Sequence, residues 1–321
     1  MSALSWADAG RDRDRLRHLL QEYGVYAALA ALFVVAVGLD TSFLSLSNVR
    51  IQLFQVAPTL LVALGMALVI GTEGIDLSVG AVIALSAAIV PLYVGWGLPV
   101  ALLMALALGA AAGAIGGTMV AFTRIQPIVA TLSLMIGVRG LAETINGDSA
   151  KPVTDPGLLA LGADSVAGVP VVAWIVAACA LLTGLMVRRT TLGRRLVAIG
   201  DNRAASRLSG LPVRRVLMTV YILSGILAAL AGVMIVGHSA EADPANQGLS
   251  MELNAITAVV VGGTPLTGGK VRVLGTVAGA LFMQLITAVL TQHNVHTSYT
   301  QIVEAAIICF AVYASQERGA R

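Results

Sequence analysis

The sequence predicts an all-α polytopic membrane protein with about ten transmembrane helices, one of them short or broken, and three observations carry that prediction. Of 321 residues, 57% are hydrophobic and only 12% are charged, and the mean hydropathy is +0.88. Apolar stretches of about 16 to 25 residues recur from Gly24 to the C-terminus, long enough to cross hydrocarbon about 30 Å thick. Runs such as YAALAALFVVAVGL do not alternate apolar with polar residues, which excludes the strands of a transmembrane barrel.

In order along the chain, hydropathy places spans at roughly 24–40, 56–71, 78–95, 98–123, 128–145, 170–187, 217–237, 253–264, 273–291 and 300–315. The eighth, LNAITAVVVGG, is too short to cross as a straight helix, so a half-helix or broken helix buried among others is expected. Residues 1–23 read as a polar cytoplasmic tail without a cleaved leader, 24–316 as one transmembrane domain, and 317–321 as a C-terminal tail. Residues 146–169, rich in Gly, Pro, Asp and Ser, read as an external loop, and 238–252 as an acidic external segment. In the fourth span Gly109, Gly113 and Gly117 form a small-residue ridge expected to serve packing within the chain. Cys179 and Cys309 lie in apolar runs with no disulfide or metal spacing around them.

Orientation follows from the basic residues. With both termini cytoplasmic, the inner segments hold 17 of the 20 Lys and Arg, including Arg11, Arg13, Arg15, Arg17 and Arg124; the outer loops hold Arg50 and Lys151, and Arg139 lies within a span. The basic balance therefore reflects topology and contact with anionic membrane lipid, and no nucleic-acid partner is called for.

The acids inside the apolar runs are the first functional signal. In GTEGIDLSVG, residues 71–80, a carboxylate at bilayer depth costs about 2.5–3.5 kcal/mol and so faces protein or water. Either Asp76 caps the third span while Glu73 meets water at the inner edge, or the break lies deeper and both meet a permeation path. Asp76 is expected to fix a helix start beside the path, with Gly71 and Gly74 permitting the tight turn. Arg139 and Glu143, at i, i+4 on the fifth span, are placed to pair, and Glu304 to be wetted at the outer edge. The candidate path set is Glu73, Asp76, Ser78, Thr131, Arg139, Glu143 and Asn254. His238, His293 and His296 read as solvated loop residues.

The second signal is the inner loop 188–216, with eight arginines against one acid, Asp201. Its DNRAASRLSGLP segment reads as a short helix: Asp201 or Asn202 caps it, Ala204, Ala205 and Leu208 favour it, and Gly210 then Pro212 end it. It is either a basic anchor on lipid headgroups or a coupling helix that takes force from a cytoplasmic ATPase, and the coupling set is Arg194, Arg195, Asp201, Asn202, Arg203, Ala204, Ala205, Ser206 and Gly210. TPLTGGKV at 264–271 is not a P-loop, because Thr264 replaces the first Gly and Val271 the magnesium-binding hydroxyl residue.

GMALVIGTEGIDLSVGAVIALSA, RIQPIVATLSLMIGVRGLA, TTLGRRLVAIGDNRAASRLSGLPV, YILSGILAALAGVMI and MELNAITAVVVGGTPLTGGKVRVLGTVAGAL, in this order from about residue 55 to 315, resemble the permease subunits of ribose-type sugar ABC importers. ADPANQGLSMELNAI, residues 242–256, is most similar to the permeases of galactofuranose importers. The resemblance implies a bacterial inner-membrane transport subunit, not an enzyme, that passes a monosaccharide. It implies as partners an ABC ATPase carrying the ATP and magnesium, a second permease forming a homodimer or heterodimer, and an extracytoplasmic sugar-binding protein. No cofactor is expected in this chain. The family usually has Gly where Glu73 stands and Asp where Asn254 stands, so both depart from the pattern. The alternative from a different class is an ion-coupled secondary transporter using Glu73, Asp76, Arg139 and Glu143; an intramembrane enzyme finds no HExxH, GxSxG or paired-aspartate constellation.

Overall fold

A computed structural model describes residues 23–123, 125–147 and 149–316. The arginines of the expected N-terminal tail, Arg124 and the tail 317–321 lie outside the described residues. Each of the ten predicted segments contains a helix: α1 (Tyr23–Leu39), α2 (Leu46–Gly71), α3 (Val79–Tyr93), α4 (Leu98–Phe122), α5 (Pro127–Asn146), α7 (Val171–Arg189), α10 (Val213–Ser239), α11 (Met251–Val261), α12 (Val273–Gln292) and α13 (Thr297–Gln316). Seven of them, α2 to α5, α7, α10 and α12, are long and apolar enough to cross a membrane, with α3 counted together with the 3₁₀ turn that follows it; α1 and α11 are shorter apolar helices.

Three further helices were not assigned as spans: α6 (Pro156–Ala163), α8 (Thr191–Asp201) and α9 (Arg203–Leu208). Residues 146–169 are thus not a plain loop. Asp155 accepts from Leu158 N at 2.9 Å to cap α6, Leu158 is fully buried, and Gly162 lies directly on the Gly237 backbone of α10. Two short antiparallel pairs brace this side. β1 (Lys151–Pro152) pairs with β4 (Glu241–Ala242), and β2 (Ser165–Val166) turns through Ala167 and Gly168, both at positive φ, into β3 (Val169–Pro170).

The core is the trio α2, α3 and α10. Between 67% and 78% of their apolar windows is buried inside the chain, against 28% or less for α4, α5 and α7. Lipid tails are as apolar as Leu, so helices in a membrane gain from close backbone packing more than from apolar burial. The sequence supplies small residues where that happens. Gly109, Gly113 and Gly117 of α4 lie against Gly225, Tyr221 and Met218 of α10, which makes the predicted ridge an intramolecular seam.

Two helices begin deep in the bundle. Asp76, just before α3, is bonded to Ser224, 11 residues into α10, or about 16 Å along that helix. The α2–α3 break thus runs from the end of α2 at Gly71, where Gly200 of α8 and Gly269 lie against it, to Asp76 deep in the bundle, and Glu73 between them is exposed. α11 begins at the same place, because Gly80, the second residue of α3, has the Gly248 carbonyl and the Glu252 carboxylate against it. From that point α3 runs alongside α10 while α11 follows the second half of α2 towards Val271, in the opposite direction. The two helices diverge from a shared start; α11, with 11 residues, is the short buried helix expected for the eighth segment, while α3 is long enough to cross with the turn that follows it.

Candidate functional site

The break between α2 and α3 is built by one carboxylate and an unusual backbone. Asp76 is 1% exposed; its Oδ1 accepts from Ser78 N at 3.1 Å and Ser78 Oγ at 2.6 Å, and its Oδ2 accepts from Ser224 Oγ at 2.9 Å. The expectation that Asp76 caps the third helix is corrected: Ser78 occupies the cap position and makes no side-chain cap bond, whereas Asp76 closes the turn before it and ties it to α10. The turn's left-handed residue is Glu73, at φ 63°, not a glycine. Gly71 and Gly74 serve close approach instead, with Leu196 and Val271 against the first and the Tyr221 hydroxyl against the second. Glu73 is exposed while Asp76 is enclosed, so the two acids have separate environments. Thr131, fully buried on α5, donates to Ile75 O at 3.1 Å and holds the break from the other side.

Arg139 has partners the sequence did not indicate. Among the described residues no ion pair joins it to Glu143, which is exposed; its guanidinium donates to Pro244 O at 3.0 Å and reaches Gln247 O at 3.5 Å. It thereby pins the segment leading into α11. Glu252, in the first turn of α11, complements the helix dipole and lies against Gly80, while Asn254 is half-buried one turn in. The site therefore gathers two helix N-termini, Asp76, Ser78, Arg139, Glu252 and Asn254. Discontinuous helices of this kind let irregular backbone face a cavity in transporters. Glu304 is not simply wetted, because it accepts from Thr287 Oγ1 at 2.8 Å and joins α13 to α12.

The basic loop 188–216 forms two capped helices. Thr190 accepts from Gly193 N at 3.3 Å to start α8, and Asn202, the second of the two predicted caps, accepts from Ala205 N at 2.9 Å to start α9. Asp201 is instead the last residue of α8. α8 is amphipathic: Leu196 and Ile199 are fully buried, Arg194 and Arg195 exposed. On α9 the exposed residues are Ala204, Ala205, Arg207 and Leu208, and Leu208 is 91% exposed. Ser206 is buried and donates to Ala198 O at 2.9 Å, locking α9 onto α8; Gly210, at φ 76°, ends it. Arg203 turns inward to half-burial. Burial first, and then Arg207, push its guanidinium below the ordinary value, while Tyr221 and Glu73 act in the opposite sense.

α8 ends in a contact made only of glycines. Gly200 lies on the Gly71 carbonyl and on Gly269, and Gly269 N donates to Gly71 O at 3.2 Å. Gly268 and Gly269, both at positive φ, come from the segment rejected as a P-loop. The end of α2, the end of α8 and the α11–α12 turn thus meet backbone to backbone. Sequence reasoning missed this junction along with Tyr221, Ser224 and Glu252; the available signal was the glycine at the end of each apolar or amphipathic run.

A family profile described as Branched-chain amino acid transport system / permease component matches residues 48–312. The chain is similar to the ribose import permease protein RbsC of Escherichia coli (strain K12), with 39% identity over 307 residues, 93% of this chain and 95% of the relative. It is similar to the galactofuranose transporter permease protein YtfT of the same strain, with 39% identity over 265 residues, 82% and 78% of the two chains. The ribose import permease protein RbsC of Bacillus subtilis (strain 168) is 36% identical over 308 residues, 94% and 95% of the two chains. No solved structure matches the chain.

Proposed function

The chain belongs to the permease-component family described for branched-chain amino acid transport, and on that premise we propose that it is the membrane-spanning subunit of an ATP-driven importer of a monosaccharide. The observation that carries the substrate class is the agreement among its relatives, whose names specify ribose, galactofuranose and fructose. Galactofuranose is the first sugar to test, on the strength of residues 242–256.

In this reading the chain crosses the inner membrane ten times with both ends inside, in keeping with the charge asymmetry. Sugar released by an extracytoplasmic binding protein passes along a path that involves Glu73, Asp76, Ser78, Thr131, Arg139, Glu143 and Asn254, formed with a second permease, identical or not. ATP and magnesium belong to a separate ATPase. That ATPase docks on α8 and α9 through Arg194, Arg195, Asp201, Asn202, Ala204 and Ala205, while Arg203, Ser206 and Gly210 fix the helix from behind or end it. The support is that α9 has a capped start and a glycine stop, faces outward with small residues, and is locked to the bundle by a buried serine.

The test is gentle purification of the tagged chain from its native membrane, with mass spectrometry of what accompanies it. A co-purifying ATPase is the expected result. A chain that emerges folded and alone, and whose uptake follows an ion gradient without ATP, would overturn the proposal in favour of ion coupling.

A further inference from the structure

Two buried polar atoms beneath the α2–α3 break have no hydrogen-bond partner: the hydroxyl of Tyr221 and Nε of Arg203. Tyr221 is 1% exposed, its ring lies in one apolar cluster with Val69 of α2 and Leu196 and Ile199 of α8, and its hydroxyl abuts Gly74. Arg203 is the first residue of α9, and its guanidinium interacts electrostatically with both Tyr221 and Glu73 although no ion pair joins it to Glu73 among the described residues. Buried donors and acceptors are nearly always paired, and an unpaired one costs free energy for as long as it stays so. A phenylalanine would fill the Tyr221 site at no such cost. Two unpaired groups on different elements, close enough to interact electrostatically, are what remains when a hydrogen bond belongs to a different arrangement of the same elements.

We propose that Arg203 is a positioning residue for transport: when the docked ATPase displaces α9, the Arg203 guanidinium closes onto the Tyr221 hydroxyl and the Glu73 carboxylate, so that motion of the docking helix reaches the break that carries Asp76. Nε–H donates to Tyr221 Oη, and the terminal N–H groups donate to Glu73. Glu73 is exposed, sits at φ 63° in the break, and its charge already acts on the Arg203 guanidinium. This inference rests on the importer reading above and assigns a role to Glu73, Arg203 and Tyr221 within it.

The test uses the complete transporter, chain with ATPase and binding protein, in proteoliposomes, and measures sugar taken up per ATP hydrolysed together with thermal unfolding. Tyr221→Phe is expected to lower uptake per ATP about tenfold, the effect of losing one charge-assisted hydrogen bond, and Arg203→Met, which also loses the bonds to Glu73, by at least as much, with unfolding unchanged or shifted upward. The double variant should be no worse than Arg203→Met alone. Glu73→Arg and Arg203→Glu should each uncouple the transporter, and the two together should recover it. Uptake per ATP at the wild-type level in Tyr221→Phe and Arg203→Met would overturn the proposal, as would losses that multiply or a charge exchange that recovers nothing. A wild-type complex with no ATP-driven uptake would instead refute the importer reading itself.

Discussion

Replacing Gly200 by alanine adds one methyl group at the junction of α2, α8 and the α11–α12 turn. The new Cβ would stand 2.5 Å from Gly269 N and 3.0 Å from Gly71 C, and would overlap the Gly71 carbonyl oxygen. All three neighbours are backbone, so no rotamer change relieves the contact, and the end of α8 must move away from α2. Overpacking of this kind costs about 1–3 kcal/mol, and parting Gly269 N from Gly71 O forfeits about 1 kcal/mol more. The sum, roughly 2–4 kcal/mol, falls on one contact, since α8 stays attached through Leu196 and Ile199. The assay pairs membrane insertion with ATP-dependent uptake. Gly200→Ala is expected to insert normally, unfold earlier and lose most of its uptake. Gly184→Ala is the control, because its Cβ meets only Val273 Cγ1 at 3.8 Å, an ordinary contact. If Gly200→Ala transports as well as Gly184→Ala, the junction carries no strain and the reasoning fails.

Three further substitutions probe the site. Ala204→Asp with Ala205→Asp places acids on the exposed face of α9 and should abolish uptake and ATPase co-purification while insertion, read by protease protection, is unchanged. Asn202→Ala removes the only side-chain cap of a six-residue helix, worth about 0.5–2 kcal/mol, and should reduce uptake, whereas Asn202→Asp should retain it. Asp76→Ala leaves the buried hydroxyls of Ser78 and Ser224 without their acceptor, each unpaired group costing about 1–3 kcal/mol, and should lower the unfolding temperature more than Asp76→Asn, which keeps the shape.

The positions of the helices were legible because length and hydropathy are local properties, and the boundaries failed where polar residues were satisfied by distant partners. α2 starts at Leu46, ten residues before the predicted span, because Arg50 donates to Gly168 O at 3.0 Å and Gln52 and Gln55 both accept from Gln284. A window of hydropathy counts those side chains as unfavourable; the fold does not leave them unpaired. α6 is only eight residues long, and what holds it is the approach of Gly162 to Gly237, 75 positions away. Arg139 was read against its neighbour at i+4, the one partner that sequence spacing offers, while its real acceptors are carbonyls more than 100 residues on. The α9 helix was read almost residue by residue, since capping and termination depend on the residue itself and the next few. Asp76 fell between these cases: its buried, polar character was legible, but Ser224 as its partner was not.

The glycine junction bears on how motion of α8 and α9 would reach the middle of the bundle. Side chains between two helices absorb small displacements by changing rotamer, so a contact through a layer of Leu or Met loses part of any shift imposed on it. Backbone resting on backbone has no such freedom. At Gly200, Gly71 and Gly269 the end of α8 touches both the end of α2 and the turn that leads back from α11, and α2 and α11 are the elements that flank the deep break. A displacement of the end of α8 would therefore bear on the end of α2 and on the turn that follows α11 together. Because α3 and α11 start at the same point and run in opposite directions, moving one foot and not the other must shear Gly80 past Gly248, where neither backbone has room for a Cβ. The starts of the two helices would consequently have to move as a pair or part from each other at the Gly80 contact with Gly248 and Glu252. A reducible cross-link tying the start of α3 to the start of α11 should therefore block uptake until it is reduced, and uptake that survives the link would show that the pair moves as one body.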